Sequence, residues 1–216
     1  MKRLYILGAL LLTIGISAWS TAVEAETLAN RLTEACGEDM LQTSLAGKIL
    51  RFHILSNSDS DNDQNVKKEV RDAVGQMLRP LLAESENLSE TKEIVEAHMG
   101  EIVDTAETAL AAEGFDYGAK AEIATVEFPV KTYGAYTFPA GEYEALEITL
   151  GEGKGHNWWC VLYPNMCFQG SVYEVTENDS GEALREVLTA EEYAQVFDSG
   201  DYEVRFKFLD FLEVFQ

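Results

Sequence analysis

Basic side chains are scarce in this sequence. Of its 216 residues, 16 are Lys or Arg and 38 are Asp or Glu, which gives a formal net charge of −22. A surface this acidic repels phosphate backbones and anionic lipid headgroups. We therefore expect no nucleic-acid partner and no peripheral membrane binding. A free solution protein and a protein that meets a basic partner both remain open.

Ligands for a transition metal are also few, with three histidines and three cysteines in the whole chain. Cys160 and Cys167 lie close together, and His156 is the histidine at a close spacing from them. Two cysteines and one histidine leave zinc without a fourth ligand. We expect no metal site and no cofactor.

The sequence has one long apolar run, and it lies at the start of the chain. Lys2 and Arg3 precede an apolar stretch at 4–19, and small residues follow at 20–25. This is the pattern of an export signal, and the run is short for a membrane span. We assign 1–25 to a signal peptide, with a retained membrane anchor as the alternative, then 26–47 to a lead-in segment and 48–216 to a single domain.

Export changes how the cysteines are interpreted. Cys160 and Cys167 flank the turn residues 163–165, so a chain reversal there brings the two within reach of a disulfide. In an oxidising compartment a disulfide is favoured, and two buried free thiols are the alternative. Cys36 is then the odd thiol, either buried or paired between molecules.

Apolar periodicity predicts an α+β domain with helices packed on a largely antiparallel sheet. One helix is especially clear, since an apolar stripe from Val66 to Leu81 leaves 67–69 and 71–72 on the exposed side until Pro80 ends or kinks it. The remaining predicted elements are strands at 48–55, 121–130, 132–139 and 202–208, a helix from Ser89 to Gly114, a hairpin over 144–162 and a short helix over 181–197 that follows a polar gap at 177–180.

Two irregular segments have unusual compositions. Residues 151–156 (GEGKGH) alternate glycine with polar residues, which suits a hairpin connection, but they lack the spacing and the following helix of a phosphate-binding loop. In the other segment, Asp59, Asp61 and Asp63 match the first positions of a calcium loop, yet positions six and twelve do not. Helix capping explains these acidic residues better than calcium does.

A catalytic interpretation has to rely on His53, Asp59 and His156. These residue types can support acid–base or nucleophilic chemistry. No nucleophile elbow or paired-histidine motif accompanies them. An exported hydrolase or cell-wall-binding enzyme is therefore the alternative function. The competing interpretation of His53 is that it packs in the core and has no catalytic role.

Two blocks of sequence resemble the stage II sporulation protein R family. The first is 51–60 (RFHILSNSDS), continued by 63–64 and 70–74. The second is 139–146 (PAGEYEAL), followed by 151–164 (GEGKGHNWWCVLYP) and 167–168. Ser56 and Tyr163 stand where alanine and phenylalanine are more usual in the family.

The resemblance implies a signalling protein of endospore-forming bacteria and not an enzyme. Such proteins are exported into the space between the forespore and mother-cell membranes, where they activate a membrane-embedded aspartic protease that processes pro-sigma-E. We expect the partner to be that protease, with membrane contact only through an uncleaved N-terminal segment. Irregular segments often carry recognition, so the predicted contact residues come from the two segments above and the strand beside them. They are Ser58, Asp59, Lys154, His156, Asn157 and Trp158.

Overall fold

The computed structural model describes residues 27–29, 31, 33, 36–37, 39–83, 85–167 and 177–197, with only the backbone at 177–180. The predicted signal segment at 1–25 and the predicted strand at 202–208 lie outside these residues. Backbone contacts divide the chain into two units, Met1–Thr43 and Ser44–Gln216. The described residues of the first unit are helical.

The second unit contains the sheet and the helices packed on it. In chain order its elements are β1 (Leu50–Leu55), α1 (Asp61–Leu82), α2 (Leu88–Ala97), α3 (Met99–Ala112), β2 (Ala119–Phe128), β3 (Lys131–Tyr133), β4 (Tyr136–Phe138), β5 (Gly141–Leu150), β6 (Asn157–Tyr163), α4 (Glu177–Val187) and α5 (Ala190–Val196). This confirms the predicted α+β class. Among the described residues, no helix is long and apolar enough to span a bilayer.

The main sheet has the strand order β2-β5-β1-β6. β1 pairs in parallel with β5, whereas β1–β6 and β2–β5 are antiparallel. The predicted hairpin between β5 and β6 is wrong, because β1 lies between these two strands. Its apolar residues on both faces suit that central position. Residues 151–156 therefore connect two non-adjacent strands across the end of β1.

One face of the sheet carries the main core. Side chains of β1 and β5, such as Phe52 and Leu146, are fully buried there against the apolar stripe of α1. The helix continues to Leu82 and does not end at Pro80. The carbonyl that Pro80 leaves without an α-helical donor belongs to Gln76, an exposed residue whose carbonyl water can reach.

The helical region after α1 is divided more finely than the sequence predicts. The predicted helix from Ser89 to Gly114 is two helices that meet at His98, whose Nδ1 lies 2.8 Å from the Ile94 carbonyl oxygen. Its cap is Asn87 and not Ser89, since the Asn87 side chain accepts from the Glu90 amide. Apolar periodicity continues through His98, so the pattern alone shows no break there.

The C-terminal helical region also differs from its prediction. The predicted polar gap at 177–180 forms the first turn of α4. A capping box between Thr189 and Glu192 then starts α5, so two helices replace the predicted single one. Thr189 begins a new helix because its side chain satisfies the Glu192 amide, and the Glu192 carboxylate satisfies the Thr189 amide.

The second face of the sheet carries a smaller, aromatic layer around Arg51. This guanidinium is fully buried, its carbon lies 4.3 Å from the centre of the Phe128 ring, and its Nη2 donates to the Tyr133 hydroxyl at 3.1 Å. The β3–β4 hairpin covers it and supplies Tyr133 and Phe138. Burial lowers the pKa of Arg51.

Candidate functional site

Residues 151–156 are fastened to the turn that follows β1. The Gly155 amide donates to the Ser56 carbonyl at 2.9 Å, and the Lys154 amide donates to the Asn57 carbonyl at 3.2 Å. The Asn57 side-chain oxygen accepts from the Glu152 amide at 2.9 Å. The two segments that the sequence singles out separately therefore form one structure, called here the turn–loop surface and defined as residues 56–60 and 151–158.

Glycine is required where the two segments approach most closely. A Cβ added at Gly155 would lie 2.1 Å from the Ser58 carbonyl oxygen, a backbone atom. At Gly151 the added atom would lie 2.3 Å from the Asn57 side-chain oxygen, and the φ of +56° is itself unfavourable for other residues. Gly151 and Gly155 therefore permit the close contact of this loop with the turn.

Asp63, at the start of α1, forms hydrogen bonds with the side chains of the turn. Its carboxylate accepts from the hydroxyls of Ser58, Ser60 and Tyr117, the last at 2.5 Å, and from the Asn57 side-chain amide at 3.2 Å. Ser60 caps the helix by accepting from the Asp63 amide at 3.1 Å. Burial opposes ionisation of Asp63, but these hydrogen bonds outweigh it and lower its pKa.

Asp59 and His156 form the outermost contact of the surface. Asp59 Oδ1 accepts from the His156 amide at 2.5 Å and lies 2.5 Å from the ring Nδ1, which acts as the donor. The His156 side chain is 82% exposed. The backbone hydrogen bond from His156, followed by that from its ring, lowers the pKa of Asp59.

The carbonyl of His156 is held as well. Lys67 Nζ donates to it at 2.7 Å and to the Gln64 side-chain oxygen at 2.6 Å. Lys67 is buried, so its predicted exposure is wrong. Its ammonium reaches from α1 to the loop, because its long apolar stem can be covered while the head binds. The backbone amide and the backbone carbonyl of His156 are therefore both hydrogen-bonded, while its imidazole is exposed.

The tip of the loop carries an exposed ion pair. Lys154 Nζ lies 2.8 Å from a Glu152 carboxylate oxygen, and the two side chains are 73% and 69% exposed. Each partner favours the charged form of the other, so the pKa of Glu152 is lowered and that of Lys154 is raised. A pair this exposed adds little to stability and is open to exchange with a partner's charges.

The two tryptophans after the loop point to opposite faces of β6. Trp158 packs edge-on against Phe52 on the helix side, with ring centres 5.2 Å apart. Trp159 lies on the other face, stacked on His53 at 4.0 Å with a 7° angle between the rings. Both tryptophans are half-buried.

The six predicted contact residues all lie on the turn–loop surface, but in two groups. Asp59, Lys154 and His156 are exposed, whereas Ser58, Asn157 and Trp158 are half-buried. The exposed group can meet a partner directly, and the half-buried group supports the surface. Sequence reasoning missed Asn57, Lys67 and Tyr117, since nothing in a polar turn or a helix pattern shows which side chains bond across the fold.

The residues of the catalytic alternative lie in different environments. His53 is 2% exposed and contacts Phe128, Glu147 and Trp159. Its Nδ1 lies 3.3 Å from a Glu147 carboxylate oxygen, and burial, with a smaller contribution from Arg51, lowers its pKa to about 4. Asp59 and His156 contact each other at the exposed surface.

The three aspartates of the possible calcium loop turn to different partners. Asp63 faces inward to its hydroxyl donors, Asp59 faces His156, and Asp61 lies in the first turn of α1. In the part of the chain that the structure describes, no three His, Cys, Asp or Glu residues gather as metal ligands. Ser60 caps α1, and Asp61 and Asp63 follow in its first turn, where the helix dipole favours acidic side chains.

A disulfide joins Cys160 and Cys167, with 5.9 Å between their Cα atoms. It closes the turn after β6, which includes the cis Tyr163–Pro164 peptide bond. Cys36, among the described residues of the first unit, is a free and exposed thiol.

The fold is an α+β domain in which the loop between β5 and β6 is hydrogen-bonded to the turn that precedes α1. The chain belongs to the stage II sporulation protein R family, whose family model (spore_II_R) matches residues 46–173. It is similar to stage II sporulation protein R of Bacillus subtilis (strain 168), with 38% identity over 139 residues. That match covers 64% of this chain and 59% of the relative, and no solved structure matches the chain. Membership supports a role in sporulation.

Proposed function

We propose that this protein is an exported signal that activates a membrane-embedded aspartic protease, which then processes pro-sigma-E across the forespore septum. Family membership supports the sporulation role, and the family resemblance is the source of the expected partner. The protein acts as a ligand in this proposal and has no catalytic role of its own.

The observation that carries the proposal is the fastening of the loop to the turn. Backbone donors of Glu152, Lys154 and Gly155 all bond to the turn, and Lys67 holds the next carbonyl. A loop ordered in advance loses little conformational entropy when a partner binds it. The exposed Asp59, Lys154 and His156 side chains then offer charge and hydrogen-bonding groups at fixed positions.

The direct test is co-expression of the full-length protein with the candidate protease and its sigma-factor substrate, with cleavage as the readout. We expect Lys154→Ala combined with His156→Ala to abolish cleavage, because both exposed contact groups are removed. Adding Asn157→Ala extends the test to a half-buried neighbour. Circular dichroism and thermal melting show whether each variant remains folded.

Matched controls remove the same residue types elsewhere. Lys120→Ala changes an exposed lysine on β2, and His98→Ala changes the histidine between α2 and α3. Both variants should support full cleavage. Normal processing by a folded Lys154/His156 double variant would overturn the role of the turn–loop surface.

The exported-hydrolase alternative is tested on the same preparations. The exposed Asp59–His156 pair is the feature that could perform acid–base chemistry. Turnover of a peptide or cell-wall glycan by the purified protein, lost in His156→Gln, would support an enzyme. Activation that persists in His53→Gln and His156→Gln variants would remove catalysis from the explanation.

A further inference from the structure

β2 (Ala119–Phe128) is an edge strand of the main sheet. β5 lies on one side of it, and among the described residues no strand lies on the other side. An unpaired strand edge exposes a row of backbone N–H and C=O groups that can pair with one more strand. Such edges are commonly kept very short, whereas β2 has 10 residues. The outer edge of β2 is therefore a candidate binding surface.

Hydrogen bonds show which backbone groups of β2 point to this edge. The Gly151 amide donates to the Gly118 carbonyl at 2.9 Å, so these two residues are a hydrogen-bonded pair at the start of the antiparallel ladder. Hydrogen-bonded pairs recur at every second residue, which directs the even-numbered residues of β2 to β5. The odd-numbered residues therefore direct their backbone groups outward. They are Ala119, Ala121, Ile123, Thr125 and Glu127.

The first of these outward amides is already bonded. The Ala119 amide donates at 3.2 Å to the side-chain carboxylate of Glu107 in α3, which agrees with an outward direction for the odd-numbered amides. In the part of the chain that the structure describes, no hydrogen bond joins the outward backbone groups at 121–127 to another residue. This open part of the strand, residues 121–127, is called here the β2 edge.

The side chains at the β2 edge carry an excess of negative charge. Glu122 is exposed and lies directly opposite Glu147 of β5, and like charges in such a cross-strand pair are unfavourable. Burial, and then the charge of Glu122, raise the pKa of Glu147. Glu127 is a second exposed carboxylate on β2, whereas Lys120 is its one lysine. A cation that approached Glu122 from the open edge would reduce the repulsion.

We propose that the β2 edge binds an extended segment of a basic protein partner, which joins the four-stranded sheet as an additional strand. Backbone hydrogen bonds with the odd-numbered residues hold the segment. A lysine or arginine of the partner lies beside Glu122 on one face, and an apolar side chain packs on the half-buried Ile123 on the other. The net charge of −22 favours such a partner over a second copy of this chain. This inference does not depend on the turn–loop surface or on the proposed protease.

The test uses the full-length ¹⁵N-labelled protein and a short peptide that alternates threonine and valine around one central lysine. In the free protein, the odd-numbered amides of the β2 edge should exchange hydrogen with water quickly, and the even-numbered amides, which bond to β5, slowly. The peptide should shift the NMR signals of the odd-numbered amides and slow their exchange. A second peptide with glutamate in place of the lysine should bind about five-fold more weakly.

Two proline variants separate the outer edge from the paired side of the strand. Thr125→Pro removes an outward amide and no bond to β5, so the protein should stay folded and bind the lysine peptide about two- to ten-fold more weakly. Ala124→Pro removes an amide that bonds to β5 and should lower the melting temperature strongly.

Glu122→Gln tests the charge without changing the backbone. It should raise the dissociation constant of the lysine peptide by about two- to five-fold, the effect of one exposed ion pair. Glu96→Gln changes an exposed glutamate on α2 and should leave the constant unchanged. Thermal melting shows that both variants remain folded.

The proposal is overturned if the odd-numbered amides exchange slowly in the free protein, because the edge would then be covered already. Equal binding of the glutamate peptide, or an unchanged dissociation constant in Glu122→Gln, would contradict the basic partner. Full binding by a folded Thr125→Pro variant would exclude pairing at the backbone edge. Self-association of the protein in sedimentation, abolished in Thr125→Pro, would assign the β2 edge to a second copy of the chain.

Discussion

His53 shows how a polar residue type can serve as a packing group. Its ring stacks on Trp159 at 4.0 Å and is 2% exposed, and its Nδ1 lies 3.3 Å from a Glu147 carboxylate oxygen. A neutral imidazole tolerates this environment far better than a charged one, which is why burial lowers the pKa to about 4. His53 therefore lowers the stability of the folded protein at acidic pH.

We predict that His53→Phe removes part of the acid sensitivity of the fold. Between pH 6.5 and 4 the unfolded chain binds a proton that the folded His53 does not, so stability falls as the pH drops through this window. The loss reaches roughly 3 kcal/mol across the window, and Phe should abolish it while keeping the ring stack. Urea unfolding at pH 7.5, 5.5 and 4 measures the effect.

His98→Gln is the matched control, since it removes a histidine outside the sheet. It should keep the loss of stability that His53 causes as the pH falls from 6.5 to 4. A His53→Phe variant with the same pH dependence as the wild type would show that His53 does not stay neutral in the folded protein.

The loop connecting β5 and β6 depends on the close approach of two backbones. We predict that Gly155→Ala destabilises the protein by about 1 to 3 kcal/mol, because the added methyl group meets the Ser58 carbonyl and neither backbone can yield cheaply. Loss of the Asp59–His156 contact should accompany it. Thermal unfolding and the NMR signals of residues 57–60 and 152–156 measure both effects.

Gly100→Ala is the opposite case in the same protein. The added methyl group meets nothing within 4 Å, and the site is in helix α3, so this variant should be more stable by roughly 0.5 to 1 kcal/mol. If Gly155→Ala behaves like Gly100→Ala, the loop is not held against the turn as described.

Local patterns in the sequence predict some of the single elements. The apolar stripe of α1 and the strand pattern of β2 require only neighbours along the chain, and both elements form where they are expected. The order of strands in the sheet cannot be predicted in this way. The sequence of a connecting loop is the same whether its two strands pair directly or a third strand lies between them. The predicted hairpin fails for that reason.

The candidate site follows the same rule. Its residue types are visible in the sequence as two separate segments, but their meeting is set by the insertion of β1 between β5 and β6. Lys67 and Tyr117 come from a helix and a loop that carry no mark of this role. Lys67 bonds to His156, and Tyr117 bonds to Asp63. Both partners are distant in sequence and can be identified only in the folded protein.

At the scale of the whole molecule, α5 is tied to the segment that precedes β1. Glu192 accepts from Lys48 Nζ at 2.7 Å through Oε1 and from the Ser44 hydroxyl at 2.5 Å. Burial opposes ionisation of Glu192, but these bonds and those with Thr189 outweigh it and lower its pKa to about 2. One carboxylate thus joins the beginning and the end of the described domain.

We predict that Glu192→Gln destabilises the protein by about 1 kcal/mol at neutral pH, where the carboxylate is fully charged. Because the folded pKa is lowered, the stabilisation is complete above the ordinary value of 4.5 and disappears as the pH falls towards 2. Chemical unfolding of the variant and the wild type from pH 7 to pH 2.5 measures the difference.

Glu191→Gln, the neighbouring exposed substitution, is the control and should leave the hydrogen bonds of Glu192 with Lys48 and Ser44, and the stability they contribute, in place. A gap between Glu192→Gln and the wild type that stays constant down to pH 2.5 would mean that ionisation of Glu192 is not its source.

The parallel pairing of β1 with β5 also affects how the protein folds. The partners in that ladder, such as Arg51 and Ala145, are joined by almost half the chain, and contacts at such separations slow folding because the entropy of closing a long loop opposes them. Asp59 and His156 are 97 residues apart in the sequence, and the folded arrangement of β1, β5 and β6 brings them together. An unfolded copy therefore does not display the assembled surface, and a partner that bound this surface would bind only molecules that have completed their fold.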